Sequence, residues 1–204
     1  MTRRTSSRSG ARGYTAVELM IAIGIFGLGV AGIISMEKAT SVANRHAKNL
    51  GMATHIAESW MDMLATDAVT WNQPSTNGGQ VPDIGATIWL QSVTSNANTA
   101  VQWVLPAYNA ALQFGPAFDA MGTAVDPATS TQIVFCSHLR LSWLIQPNAN
   151  GNGLIRAEVR VFWLRDGQGF AQAMCSTGQI AAVGAATQTF HFVQKISAIR
   201  ENGR

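Results

Sequence analysis

Apolar residues follow two different helical patterns in the first third of the chain. From Leu19 to Met36, eighteen residues carry no charge, which is close to the lower limit of the ~17–25 residues that span a bilayer as a helix. Beyond Met36, apolar residues recur at three- and four-residue spacing, which predicts a single buried helical face. The members of that face are Leu50, Ala53, Ala57, Trp60 and Leu64.

No proline interrupts these patterns before Pro74, and proline is the residue that most strongly ends a helix. We therefore predict one continuous helix from about residue 14 to about residue 66. Its first part, residues 14–36, is a hydrophobic transmembrane or assembly helix. Residues 37–71 form its amphipathic continuation, which needs a partner surface for its apolar face.

Alternating residues later in the chain predict strands with one buried face. Residues 155–163 alternate in this way, as do residues 139–145, and the Asn- and Gly-rich stretch between them predicts a hairpin turn. A third strand is expected near residues 188–199. Three of its side chains are expected to face the core: Phe190, Phe192 and Ile196.

The composition of the connecting segments predicts loops. Residues 72–86 are rich in Asn, Gly and Pro, and residues 106–131 contain several helix- and strand-breaking prolines. The amphipathic half of the helix and the apolar face of the sheet each need cover, so we predict that they pack on one another in an α+β domain. The sequence thus indicates a globular antiparallel-sheet domain over residues 72–204.

The charge of the chain changes this picture at its N-terminus. The net charge is +3, but residues 1–13 contain four arginines and no acid. Without them, ten basic residues face eleven acids and the net charge is −1. The basic character therefore belongs to a short leader, which is set aside in reasoning about the fold. Basic flanking charge also predicts that the apolar helix crosses a membrane with its N-terminus in the cytoplasm.

The two cysteines, Cys136 and Cys175, both follow the apolar helix. With this orientation they lie outside the cytoplasm, where an even number of cysteines favours a disulfide. The alternative is two separate buried thiols.

Glu18 stands at the head of the apolar run, and an acidic residue in a membrane segment indicates a functional role. It is preceded by Gly13-Tyr14-Thr15-Ala16-Val17. A cut between Gly13 and Tyr14 would leave an amine on Tyr14, and a second subunit could then offer that cation to Glu18. The alternative is an anchor residue at the mouth of a single-pass helix.

The stretch from Gly13 to Met20 resembles the prepilin signature: a basic leader, a glycine before the cut, an aromatic new N-terminus and a glutamate fifth in the mature chain. The resemblance covers roughly residues 10–66. It implies that a prepilin peptidase cleaves between Gly13 and Tyr14 and N-methylates Tyr14. It further implies that Glu18 pairs with the Tyr14 amine of a neighbouring subunit, and that a long helix packs on an antiparallel sheet.

Within this family, the Gly/Leu-rich segment Phe26–Gly32 is similar to that of PilV-type minor pilins. Abundant major pilins often carry a proline in the apolar half of the helix, whereas Ser35 occupies the approximate place here. The resemblance implies a minor pilin that primes or caps a type IV pilus. Its implied partners are other minor pilins, major pilin subunits, the prepilin peptidase, the inner-membrane assembly platform and, as a further candidate, a tip adhesin.

Two alternatives stay open: a minor pseudopilin of a type II secretion system, and a membrane-anchored periplasmic binding domain. Enzymatic, cofactor and metal-binding motifs are absent from the sequence. There is also no basic patch with interleaved aromatic residues, so nucleic-acid binding has little support. We interpret Glu158, between arginines on a strand, as part of a solvated cross-strand charge pattern. The histidines are interpreted as structural or solvated: His46, His55, His138 and His191.

The six tryptophans are expected to pack a core. An interface role is an alternative for two that lie near loops, Trp71 and Trp89.

Overall fold

A computed structural model of the chain describes residues 13–71, 84–96, 102–146, 153–165, 175–177, 180–185 and 188–200. The chain divides into two compact units, Met1–His46 and Ala47–Arg204. The first unit contains the apolar part of the N-terminal helix. The second contains the rest of that helix and a five-stranded sheet.

The N-terminal helix α1 runs without interruption over Ala16–Asp67, as the sequence predicts. Within the second unit its apolar stripe is buried: Ala53, Ile56, Ala57, Trp60, Met61 and Leu64. The prediction for Leu50 is wrong, because that side chain is 44% exposed. The first buried side chain of the helix is that of Ala53, three residues later.

The sheet is antiparallel, with the strand order β2-β1-β3-β4-β5. Its strands are β1 Ala117–Phe118, β2 Ala124–Val125, β3 Phe135–Ile145, β4 Leu154–Leu164 and β5 Phe190–Arg200. A short helix, α2 (Ile180–Ala185), precedes β5, and 3₁₀ turns occupy Ala68–Thr70, Ile84–Ala86 and Leu90–Asn96. The predicted α+β architecture is confirmed. The β3–β4 pairing is also confirmed, although most of its connecting turn lies outside the described residues.

The segment 106–131 is less irregular than its composition predicts. It contains β1 and β2, which pair with each other, and β1 also pairs with the start of β3. The tight turn between them includes Gly122, whose φ of 78° suits glycine. These strands are two residues long, too short to leave a period-two signal.

One face of the sheet packs against α1. Leu139, Leu141, Val159 and Val161 lie on this face and are fully buried together with Trp60 and Leu64 of the helix. Trp60 contacts Trp89 and Phe114 in edge-to-face geometry, with ring centroids 5.4 and 4.7 Å apart. Trp71 and Trp89 are both buried, so these two tryptophans belong to the core.

The opposite face carries alternate residues of β3, β4 and β5, and the structure corrects the sequence analysis there. Glu158 is 3% exposed and Arg160 is 6% exposed, so the prediction that Glu158 is solvated is wrong. Two described positions that follow β4 contact this face. Cys175 is bonded to Cys136, and the carbonyl of Ile180 accepts a hydrogen bond from Arg160.

The inward placement of Phe192 and Ile196 is also wrong. Both side chains share the second face with the buried Phe190, as period two requires, but they are 47% and 52% exposed. The described contacts from the chain after β4 to this face are with Cys136 and Arg160. The face against α1 instead receives Val193, Lys195 and Ile199.

Candidate functional site

Thr15 caps the start of α1, and Glu18 lies three residues later in the first turn of the helix. The backbone N–H of Glu18 donates to Thr15 Oγ1 over 3.3 Å, and the N–H of Leu19 donates to the carbonyl of Thr15 over 3.1 Å. Thr15-Ala16-Val17-Glu18 therefore has the spacing of a capping box, a signal that sequence reasoning missed. A carboxylate in the first turn is also favoured by the helix dipole.

The structure places Gly13 and Tyr14 in the exposed segment just before α1 and Glu18 in its first turn. Glu18 is also exposed, and it is the only charged side chain between Gly13 and Met36. The three residues of the predicted processing and assembly site thus lie together at the head of the apolar helix. The carboxylate is available there to a cation supplied by another molecule.

The apolar half of α1 presents large hydrophobic side chains in all directions. They include Leu19, Ile21, Ile25, Phe26, Leu28 and Ile33, each more than half exposed. A helix that is apolar all round is suited to a membrane or to the interior of a helical bundle. Among the described residues, this is the one helix that is long and apolar enough to cross a membrane.

Cys136 and Cys175 form a disulfide with a Cα–Cα distance of 5.7 Å. Cys136 lies in β3 and both residues are buried. The bond fixes the chain after β4 to the sheet face opposite α1. Its chemistry is compatible with the extracytoplasmic location proposed from the sequence.

We call this side of the sheet the arginine face, because it carries four arginines together with Glu158. The arginines are Arg140, Arg156, Arg160 and Arg200. Glu158 pairs across the strands with Arg140 and along β4 with Arg156, at 3.0 Å from the Arg156 Nε. Gln194 of β5 donates a further hydrogen bond to Glu158 over 2.8 Å. One carboxylate therefore forms ion pairs with two guanidinium groups and accepts a hydrogen bond from an amide.

Arg160 has no carboxylate partner among the described residues. Its Nη2 lies 2.9 Å from His138 Nδ1 and donates to the carbonyl of Ile180 over 3.1 Å. The guanidinium carbons of Arg160 and Arg140 lie 4.5 and 4.8 Å from the ring centroid of Trp103, a cation–π arrangement. Trp103 therefore holds two like charges that repel each other.

Burial, with the neighbouring charge of Arg140, lowers the pKa of Arg160 to about 10. Burial, with the charge of Arg160, lowers the pKa of His138 to about 3. His138 is therefore neutral at physiological pH and can accept the hydrogen bond from Arg160. Within the described part of the chain, His138 Nε2 and Arg160 Nε have no hydrogen-bond partner.

The described residues contain no group of three His, Cys, Asp or Glu side chains that could hold a metal ion. Asp166, the next acid after Glu158 in the sequence, lies outside the described residues.

No protein-family model, no curated protein and no solved structure matches this chain. The interpretation of its function therefore depends on the residues and the geometry described above.

Proposed function

We propose that this chain is a minor pilin, a structural subunit that is anchored in the inner membrane by α1 and then joins a type IV pilus through the same helix. The observation that carries the proposal is the single carboxylate of Glu18 at the exposed head of an apolar helix, directly after Gly13 and Tyr14. The folded second unit of the chain is consistent with a subunit that presents a globular domain on the fibre.

The physical argument is electrostatic. In an apolar bundle of helices an unpaired carboxylate is costly, and removal of one partner from a buried charge pair is strongly destabilising. Cleavage before Tyr14 would create an ammonium group close to the helix start. If subunits stack with a suitable axial offset, Glu18 of one subunit meets Tyr14 of another, and the pair selects that offset.

The processing step is tested by mass spectrometry of the chain purified from its native host. We expect an N-terminus at Tyr14 that carries one N-methyl group. A chain that retains residues 1–13, or that begins elsewhere, would overturn the proposal. The same result would favour the membrane-anchored binding domain.

The assembly step is tested with Glu18→Val and the matched variant Glu37→Val, which removes a glutamate from an exposed position of the same helix beyond the apolar run. We expect both variants to be processed, but only Glu37→Val to be found in sheared fibres. Equal amounts of the two variants in the fibres would contradict the role of Glu18. A deletion strain that loses secretion but keeps its pili and motility would indicate the pseudopilin alternative.

A further inference from the structure

The two edges of the sheet differ sharply in length. At one edge lies β2, which has two residues, and at the other lies β5, which has eleven. All eleven residues of β5 pair with β4 in unbroken register. Among the described strands none lies beyond β5, and over residues 192–200 its outer edge offers backbone N–H and C=O groups to a further strand.

Proteins usually protect such an edge with lysines, prolines, bulges or short strands. β5 contains no proline, and its pairing with β4 shows no register shift. Its one lysine, Lys195, points to the α1 side, where the Nζ atom lies 2.9 Å from Glu58 Oε1. This hydrogen bond and the lysine charge lower the pKa of Glu58. Lys195 is thus held in an ion pair with Glu58 and does not block strand addition at the edge of β5.

The side chains beside this edge are both apolar and cationic. Phe192 and Ile196 project from β5 on the arginine face and are about half exposed. Arg156 and Arg200 lie farther along the same face, next to Ala198, and are also exposed. Glu158 is the only acid described on this face, and Arg140 and Arg156 already share it. The surface thus fits apolar side chains that are interspersed with carboxylates.

We propose that β5 accepts an extended segment of a partner chain as a sixth strand, and that this segment carries alternating carboxylate and apolar side chains on the arginine face. Main-chain hydrogen bonds supply affinity in this mode of recognition, and every second side chain supplies specificity. Pairing of β5 with a second copy of this chain is disfavoured, since it would place two arginine-rich faces side by side. The inference does not rest on the pilin proposal, because an uncleaved chain would present the same edge.

The test uses the full chain in mild detergent and a labelled synthetic peptide, followed by fluorescence polarisation. In the peptide every second residue is threonine, and the remaining positions alternate glutamate with valine. We expect binding that weakens about tenfold in the Arg156→Gln/Arg200→Gln variant, because each rim charge contributes modestly. The matched variant Arg45→Gln, on α1, should bind as the unchanged chain does. A peptide with lysine in place of glutamate should bind at least about tenfold more weakly.

Strand addition is distinguished from simple charge attraction by backbone methylation of the peptide. Methyl groups on the amides that face β5 should abolish binding, whereas methyl groups on the alternate amides should leave it unchanged. Hydrogen exchange of β5 should slow when the peptide binds. Circular dichroism of each variant establishes that it remains folded.

Any one of the following results would overturn the proposal: absence of peptide binding, equal binding of the lysine peptide, equal effects of the two methylation patterns, or protection of β5 by self-association alone. Arginine-dependent binding to vesicles of anionic lipid without peptide binding would assign the face to a membrane surface instead, and would overturn it equally.

Discussion

The carboxylate of Asp67 accepts a hydrogen bond from the backbone N–H of Trp89, with 2.8 Å between Asp67 Oδ2 and the Trp89 nitrogen. The same carboxylate accepts from Ile88 over 2.7 Å and from Leu90 over 3.1 Å. Asp67 is the last residue of α1 and is 6% exposed. A single buried side chain thus satisfies three backbone donors and joins the end of the helix to a segment distant in sequence.

We expect Asp67→Ala to lower the free energy of unfolding by about 2–4 kcal/mol, because three backbone donors lose their acceptor and two of their residues are buried. Asp67→Asn should lose less than the alanine variant but more than about 1 kcal/mol, since its amide oxygen can still accept from Trp89 and Leu90 while its NH₂ group would face the N–H donor of Ile88. The measurement is urea unfolding of the detergent-solubilised chain, followed by tryptophan fluorescence. Asp62→Asn, at an exposed position of the same helix, should change the value by less than about 0.5 kcal/mol. Equal values for the two asparagine variants would contradict this role.

Stability should fall as the pH falls from about 6.5 towards 3, in part because of His138. Its pKa is lowered from 6.5 in the unfolded chain to about 3 in the folded chain, so the unfolded state binds more protons in this window. The contribution is complete above pH 6.5 and is lost as the pH approaches 3. It is on the order of a few kcal/mol.

The His138→Asn variant keeps an acceptor for Arg160 and cannot titrate, so its unfolding free energy should depend less on pH than that of the unchanged chain. His55→Asn, at an exposed position, is the matched control. The comparison requires urea midpoints from pH 7 down to pH 3.5. If the slopes of the two variants coincide, His138 is not the titrating group.

Reduction of the Cys136–Cys175 bond should lower the unfolding free energy by about 4 kcal/mol in the chain-entropy account, given a sequence separation of 39 residues. Cys136→Ser/Cys175→Ser should match the reduced chain. Urea midpoints with and without dithiothreitol provide the measurement. An unchanged midpoint after complete reduction would show that other contacts hold the chain over the arginine face.

Gly122→Ala should destabilise the domain by about 1–3 kcal/mol for two reasons. The φ of 78° is unfavourable for alanine, and the added Cβ would collide with the Sδ atom of Met52 on α1. Gly51→Ala is the matched control with the opposite sign, since a Cβ there meets open space in a helix. It should stabilise the chain by about 1 kcal/mol.

A double-mutant cycle separates the two effects at Gly122. Met52→Ala removes the collision, so Gly122→Ala should cost less in that background, and the remaining cost reports the backbone strain. Additive values would show that Met52 does not contact this turn.

Local patterns in the sequence predicted the elements whose signals are local. The three- and four-residue spacing correctly predicted that Ala53, Ala57, Trp60 and Leu64 are buried, because an α-helix has about 3.6 residues per turn. The alternation in β4 likewise identified the α1-facing residues Ile155, Val159 and Val161. The capping box at Thr15 and the acid at Asp67 also leave local signals in the sequence. Asp67 continues the apolar stripe three positions after Leu64, and a carboxylate at such a position predicts hydrogen-bond donors opposite it.

The state of the arginine face could not be predicted from local patterns. Glu158 is buried beside Arg140 of β3 and Gln194 of β5, and the neighbouring Arg160 contacts Trp103 and the carbonyl of Ile180; all of these contacts are distant in sequence. Phe192 and Ile196 lie on the same face and are about half exposed. Period two assigned these side chains to a common face, but periodicity carries no information about which part of a face another segment covers.

The order of the elements along the chain has a consequence for biosynthesis. Trp60 and Leu64 of α1 leave the ribosome long before β3 and β4, the strands whose side chains bury them. The stripe therefore emerges without its cover, on a helix that is already apolar throughout its first half. Early insertion of that first half into a lipid bilayer would tether each nascent chain. The tether would keep the exposed Trp60 and Leu64 of one chain from contacting those of a neighbouring chain until the β3–β4 hairpin has formed.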